Sequence, residues 1–189
     1  MKRLVLASAL AALAVAAQAE PVTYVIDSTH TFPSFSYNHL GFSTQTHRFN
    51  GTTGSIVVDR AAKTGSAEVS IDAKSVDAGS ALFNEHIQAA DFFDTAHYPT
   101  LGFKGAKMQF KGDKPVSISG DITIKGVTRP ITFDITAFNC APHPMLKVEA
   151  CGANAVAKLK RSDFNMGKNA PYVSDEVTLN LSVEARKQQ

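Results

Sequence analysis

Four stretches of this chain alternate apolar and polar residues with period two, and that rhythm restricts the possible folds more than any other feature. Ala67, Val69, Ile71 and Ala73 alternate with Glu68, Ser70, Asp72 and Lys74. Val116, Ile118, Ile122 and Ile124 alternate with Ser117, Ser119, Asp121 and Thr123. Ile131, Phe133, Ile135 and Ala137 do so with Thr132, Asp134 and Thr136, and Val177, Leu179, Leu181 and Val183 with Thr178, Asn180, Ser182 and Glu184. Successive side chains of a strand point to opposite faces, so each stretch offers one apolar and one polar face. An antiparallel sheet with one side in water has this requirement. Softer strand signals cover Thr23–Ile26, Thr31–His39, Thr44–Phe49, Gly54–Asp59, Thr100–Phe110 and Ala155–Lys160. Turn residues separate them at Gly51 and Gly54, Lys63-Thr64-Gly65, Lys111-Gly112-Asp113 and Lys125-Gly126. The short spacing predicts a meander of neighbouring strands, and closure into a barrel removes its exposed edges. One helical segment interrupts the pattern. Leu82, Phe83, Ile87 and Ala90 share a helical face, with Asp77 or Ser80 as N-cap, and a further turn is predicted from Asp91 to before Pro99.

The N-terminus follows different rules. Lys2 and Arg3 precede an apolar run from Leu4 to Ala17, and Ala17-Gln18-Ala19 places small residues where a signal peptidase reads them. Residues 1–19 are therefore predicted to be a cleaved secretory signal peptide, with a run too short to stay in a bilayer as a spanning helix. The mature chain, residues 20–189, is expected to be one soluble domain outside the cytoplasm. Losing Lys2 and Arg3 takes the basic count from 19 to 17, equal to the 17 acidic residues. A neutral domain lacks the electrostatic footprint of a nucleic-acid binder or of a protein held on an anionic membrane. Two cysteines remain, Cys140 and Cys151, and an oxidising compartment favours pairing them across a loop that contains Pro142 and Pro144. A metal or redox pair is the weaker alternative, because the C-x-x-C spacing is missing.

The apolar inventory is rich in phenylalanine, with 12 Phe and no Trp. An eight-stranded barrel either fills with such side chains or holds one small ligand, and alternation alone leaves both open. Catalytic motifs are missing: no G-x-S-x-G, H-E-x-x-H, P-loop or G-x-G-x-x-G occurs. His30, His39 and His47 remain as a possible metal or catalytic group if neighbouring strands bring them together.

Four blocks, in order along the mature chain, resemble the YceI-like family of bacterial periplasmic proteins. They are Tyr24-Val-Ile-Asp27 with Ser28-Thr-His30 and Asn38-His-Leu-Gly-Phe42; Phe83-Asn-Glu-His-Ile87 leading into Ala90-Asp-Phe-Phe-Asp94 and Tyr98-Pro-Thr100; Ser119 through Gly126 to Arg129-Pro130; and Lys160-Arg-Ser-Asp-Phe164 with Asp175-Glu-Val177. Three positions depart from the family pattern: Ile87 replaces a leucine, and His47 and Asn165 stand where glycine is usual. Asn tolerates the left-handed backbone, so Asn165 is expected to keep its turn.

The resemblance implies an all-β fold, an extended lipocalin-like barrel of eight antiparallel strands with a short helical insertion beside its mouth. It implies a binding protein rather than an enzyme, holding a polyisoprenoid, an isoprenoid phosphate or an isoprenoid-quinone-type lipid. No metal and no cofactor other than that lipid are expected, and contact with a membrane or membrane protein would be transient, for lipid exchange. Within that frame Ile71, Leu101, Phe103, Ile122, Phe133 and Leu179 are expected to point into the barrel, with Phe35, Tyr37, Phe42 and Phe164 beside them. Phe83, Ile87, Phe92 and Phe93 are expected to cover the mouth. Asn84, His86, Arg161 and Asp163 are the candidates for the lipid head group, Arg161 and Asp163 having the alternative of pairing across a turn. The rival readings are a metal protein or enzyme using His30, His39 and His47, and a ligand-free structural or inhibitory domain.

Overall fold

The computed structural model describes residues 20–189, so the predicted signal peptide lies outside the described residues. Strands β1 (Val22–Ile26), β2 (Ser34–His39), β3 (Ser43–Phe49), β4 (Thr52–Asp59) and β5 (Thr64–Asp72) lead into a short strand β6 (Val76–Asp77) and one helix, α1 (Ala81–Gln88). Five long strands follow: β7 (Thr100–Lys111), β8 (Lys114–Ile124), β9 (Val127–Pro142), β10 (Glu149–Lys160) and β11 (Glu176–Lys187). Every pairing is antiparallel, and β1 pairs with both β4 and β11, closing an eight-stranded barrel.

Two of the barrel staves are broken. β1 and β2 lie end to end along β11, which meets Tyr24–Ile26 at one end and Ser34–Ser36 at the other. The predicted strand from Thr31 starts only at Ser34, because Pro33 has no N–H to offer the ladder. Thr31, fully buried, patches the gap: its Oγ1 donates to the Glu184 carbonyl and accepts from the Glu184 N–H, both at 3.1 Å. The second break falls at Asn50–Gly51, beyond which β3 pairs with β6 while β4 pairs with β5. At Gly54 the β4 backbone runs so close to β5 that a Cβ would sit 2.1 Å from the Glu68 carbonyl, and its φ of +146° suits glycine alone.

At that end of the barrel β6 pairs only with β3, and β7 pairs with β5 and β8. The insertion fills this opening. Its helix forms where the sequence placed one and buries Ile87, with Phe83 half-buried, but Leu82 faces solvent and Ala90 lies beyond the helix end, exposed. Ser80 takes the N-cap position without a side-chain cap, and the Asn84 side chain instead accepts from the Ala78 N–H at 2.7 Å. After the helix, Asp91–Tyr98 makes hydrogen-bonded turns, such as Tyr98 N–H to the Asp94 carbonyl.

At the other end, β9 and β10 run further than the prolines suggested. Cys140 and Cys151 are register partners and form a disulfide with Cα atoms 4.1 Å apart, so the ladder continues past them to Pro142–Glu149. Only residues 143–148 are left as the loop.

Candidate functional site

The alternating apolar faces meet inside the barrel but do not fill it. Two cavities lie along its interior, of about 160 Å³ towards the insertion and about 90 Å³ deeper. For comparison, an engineered protein cavity of about 150 Å³ stays dry and accepts benzene.

The upper cavity is walled by β2 (Phe35, Tyr37, His39), β3 (Phe49) and the insertion (Phe83, His86, Ile87, Phe92, Phe93). Leu101, Ile124, Leu159, Val177 and Leu179 come from the long strands, and Arg161, Met166, Lys168, Asn169 and Val173 from the segment between β10 and β11. The deeper cavity is walled by Ile71, Phe103, Ile122, Phe133, Leu181 and their neighbours, with no polar atom facing it. Phe103 and Phe133 meet edge to face there at 5.2 Å.

Polar groups gather around the upper cavity. Arg161, only 7 % exposed, begins a 3-10 turn (Arg161–Phe164) and turns its guanidinium onto four backbone carbonyls. Nε donates to Ser174 O at 2.9 Å, Nη1 to Lys168 O at 2.7 Å and to Met166 O, and Nη2 to Val173 O at 2.8 Å. Four of its five N–H groups are engaged, and one Nη2 N–H has no acceptor among the described residues. Burial lowers the Arg161 pKa, partly offset by the Asp175 carboxylate. Tyr37 and His47 form a buried pair, hydroxyl to Nε2 at 2.9 Å. Burial raises the tyrosine pKa and lowers that of the imidazole, which is therefore neutral. His47 packs between the Phe35 and Phe83 rings, and its Nδ1 has no partner among the described residues. A Lys168–Asp91 ion pair ties the β10–β11 segment to the insertion. Lys125 links the same two segments through the Ala90 and Asn165 carbonyls at 2.6 and 3.0 Å.

Most of the apolar side chains expected inside are on these two walls: Phe35, Tyr37, Phe83, Ile87, Phe92, Phe93, Leu101 and Leu179 above, and Ile71, Phe103, Ile122 and Phe133 below. Phe164 is buried behind the upper wall. Phe42 is a correction. It is 87 % exposed, because Leu40 and Gly41 both take positive φ and turn the chain sharply after β2, leaving Phe42 at the hairpin tip, outside the alternation. Among the head-group candidates, His86 and Arg161 face the upper cavity, whereas Asn84 is held by its own loop and Asp163 is exposed. Arg161 does not pair with Asp163, since its donors point at carbonyls, and the carboxylate that caps the turn is Asp175, bound to the Ser162 N–H and hydroxyl. Asn165 takes φ +57°, as its residue type predicts. His30 bonds Thr29 and Asp27, His39 faces the upper cavity and His47 bonds Tyr37, so the three histidines do not converge. Among the described residues one group of metal-ligand type comes together, Cys140, Glu149 and Cys151, and its two sulfurs are bonded to each other.

Phe49, Ile124, Leu159 and Val177 extend the alternation and were within reach of it. Lys168, Asn169 and Val173 were not, because the β10–β11 segment has no periodicity to read.

The YceI-like domain model matches residues 24–185, nearly the whole barrel. The chain belongs to the YceI-like family. Protein YceI of Escherichia coli O157:H7 is 34 % identical over 194 residues, with both chains fully covered. A UPF0312 protein of Pseudomonas putida is 35 % identical over 181 residues, 94 % of this chain and 93 % of its own length. Among solved structures, Burkholderia cenocepacia BcnA superposes with a TM-score of 0.73 at 25 % identity, over 85 % of this chain and 99 % of that one. A polyisoprenoid binding domain from Saccharophagus degradans superposes with a TM-score of 0.67 at 17 % identity, over 88 % and 99 % of the two chains, a likeness of fold. YceI-like barrels are thus the surroundings in which this interior is to be understood.

Proposed function

We propose that the barrel is a carrier for one isoprenoid-type amphiphile, with the tail in the two cavities and the head group at the upper rim, and that it works in the periplasm after loss of residues 1–19. The observation that carries this reading is the unfilled apolar interior capped by a polar rim. A hydrocarbon tail loses little against walls that are mostly apolar, while a head group finds the free Arg161 N–H, His86 and Asn169 within the upper wall. Burying about ten methylene-sized groups contributes roughly 8 kcal/mol, a gross figure that corresponds to about micromolar affinity before association costs. The polyisoprenoid binding domain named above, which shares the fold, is in keeping with this ligand class. The reading is of a binding protein rather than a catalyst.

Exchange with a bilayer would run through the rim. Leu40 and Tyr172 lie side by side, the Leu40 N–H bonding the Tyr172 carbonyl at 3.0 Å, next to the His39–Val173 bridge at the upper cavity. With Phe42 at the neighbouring hairpin tip, they form an exposed apolar edge.

Organic extraction of the purified protein followed by mass spectrometry tests the carrier directly. An isoprenoid lipid at near-stoichiometric amount is expected. Binding should fall at least about tenfold in Ile122→Gln, whose new amide would lie unpaired against the tail at roughly 1–3 kcal/mol, and stay unchanged in Thr123→Gln on the outer face of the same strand. Equal binding by the two folded variants, or one equivalent of tightly held metal in place of lipid, would overturn the reading.

A further inference from the structure

The two cavities share five wall residues: Phe35, Phe49, Leu101, Ile124 and Leu179. These side chains come from the neighbouring strands β11, β2 and β3 on one side and from β7 and β8 on the other, so they face one another across the barrel axis as a waist. From these contacts we infer that the waist is an iris that sorts ligands by tail length, leaving a short prenyl tail in the upper cavity and opening for the end of a long one. The inference rests on the carrier reading and adds the tail class to it.

Three rings form the aromatic side of the iris. Phe35 and Phe49 are 5.7 Å apart by centroid, and Phe93 meets both edge-on from above, at 5.7 and 5.4 Å. Rings at these separations are in van der Waals contact, so a methyl-branched chain has no way between them and must pass on the side of Leu101, Ile124 and Leu179.

Of the three rings, Phe93 alone lies outside any strand ladder. It belongs to the turns after α1, with its N–H bonded to the Ile87 carbonyl at 3.1 Å. Phe35 is paired on both sides, with Leu179 and His47, and Phe49 is paired with Val76. The remaining members, Leu101, Ile124 and Leu179, stand on the long strands β7, β8 and β11. A tail entering from the rim therefore meets Phe93 on the turns first and the strand-borne side chains behind it, and passes them by side-chain rotation.

What lies beyond the iris favours hydrocarbon, since its wall is mostly aliphatic and aromatic side chains, with Thr31, Ser34 and Thr52 beside them. The upper cavity, about 160 Å³, is of the size that holds one small hydrocarbon. It takes roughly one to two isoprene units, judged against the benzene-binding cavity of about 150 Å³. A longer tail gains contacts only by crossing the waist, so affinity should rise in a step when the chain becomes long enough to do so.

Val69 and Leu181 face the deeper cavity and not the upper one, which makes it possible to close the lower compartment without touching the entrance. Equilibrium dialysis of the purified protein with geraniol and with geranylgeraniol supplies the test. Wild type should bind geranylgeraniol at least about tenfold more tightly than geraniol. Val69→Phe should bring geranylgeraniol down to the level of geraniol and leave geraniol within about twofold, and Leu181→Phe, entering from β11, should do the same if Val69→Phe folds poorly. An equal loss for both alcohols, or no loss for either in a folded variant, would overturn the iris while leaving the carrier intact. Failure of wild type to bind either alcohol would overturn both.

Discussion

Replacing Arg161 by lysine keeps the charge and removes the fork, which isolates what the guanidinium does for the rim. In the native protein four N–H groups reach carbonyls of Met166, Lys168, Val173 and Ser174, strung along nine residues with no regular ladder. A lysine ammonium is a single point with three donors on a stem that does not branch, so it cannot span carbonyls on both sides of the former plane. At least two of them lose a charge-assisted hydrogen bond, each worth roughly 1.5–3 kcal/mol where the acceptor is buried. The sum is about 3–6 kcal/mol, and the lower end is the better expectation because the exposed parts of the segment, Lys168 and Asn169, give water access to relax it. That is a large fraction of the roughly 5–15 kcal/mol that holds a domain together. Urea unfolding followed by circular dichroism should therefore show a markedly lower midpoint for Arg161→Lys, with a nearly unchanged slope. Asp163→Asn, an exposed change on the same turn, should stay within about 0.5 kcal/mol of wild type. A destabilisation below about 1 kcal/mol in Arg161→Lys would refute the reasoning and return the arginine to the head group alone.

Three further expectations concern groups away from the cavities. The Tyr24 hydroxyl, buried and bound to Glu149, has its pKa pushed up to about 12, first by burial, so its contribution is complete below about pH 10 and is lost as pH rises towards 12; Tyr24→Phe should remove that alkaline slope, on the order of 2–3 kcal/mol, in unfolding measurements. Burial lowers the His47 pKa, so wild-type stability should fall as pH drops below about 6.5 and level off once the folded pKa is passed, a slope that His47→Phe should lack. Reduction of Cys140–Cys151, which closes a loop of separation 11, should cost about 3 kcal/mol on the chain-entropy view, read as a lower urea midpoint in reductant; two free thiols in unreduced, denatured protein would contradict the bond itself.

The barrel was legible because its strands repeat one simple rule, and the rule also found most of the wall. Ile71, Ile122, Phe133 and Leu179 face inward for the same reason that their neighbours face water. The rule failed where the backbone leaves the pleat. Phe42 follows two positive-φ residues and so escapes the alternation that placed Phe35 and Tyr37. Asn84 and Asp163 come from the right segments by chemistry, but a polar side chain in a short helix or turn first satisfies the local backbone or faces water, as these two do. The prolines at 142 and 144 suggested a long loop, yet the paired register of Cys140 and Cys151 carries the ladder past them. The waist was invisible altogether, since it depends on rings from strands far apart in sequence and on Phe93 in a turn.

On the proposed carrier reading, head and tail of a bound amphiphile would meet very different surroundings, and this decides where selectivity would reside. At the rim the protein itself engages much of the polar inventory, Arg161 with four carbonyls, Lys168 with Asp91 and Tyr37 with His47, and leaves one Arg161 N–H, His86 and Asn169 for a head group. A head group has few donors to use, and the net gain is about 0.5–1.5 kcal/mol per bond. The interior offers the opposite balance. Leaving the upper and deeper cavities empty, about 160 and 90 Å³, forfeits roughly 4 and 2 kcal/mol at about 24 cal/mol per Å³, which a hydrocarbon tail recovers without breaking any bond. The tail term exceeds the contribution of any single head-group bond several-fold. Amphiphiles with different head groups and the same prenyl chain should thus be held alike, and discrimination falls to the shape and length of the chain at the aromatic waist.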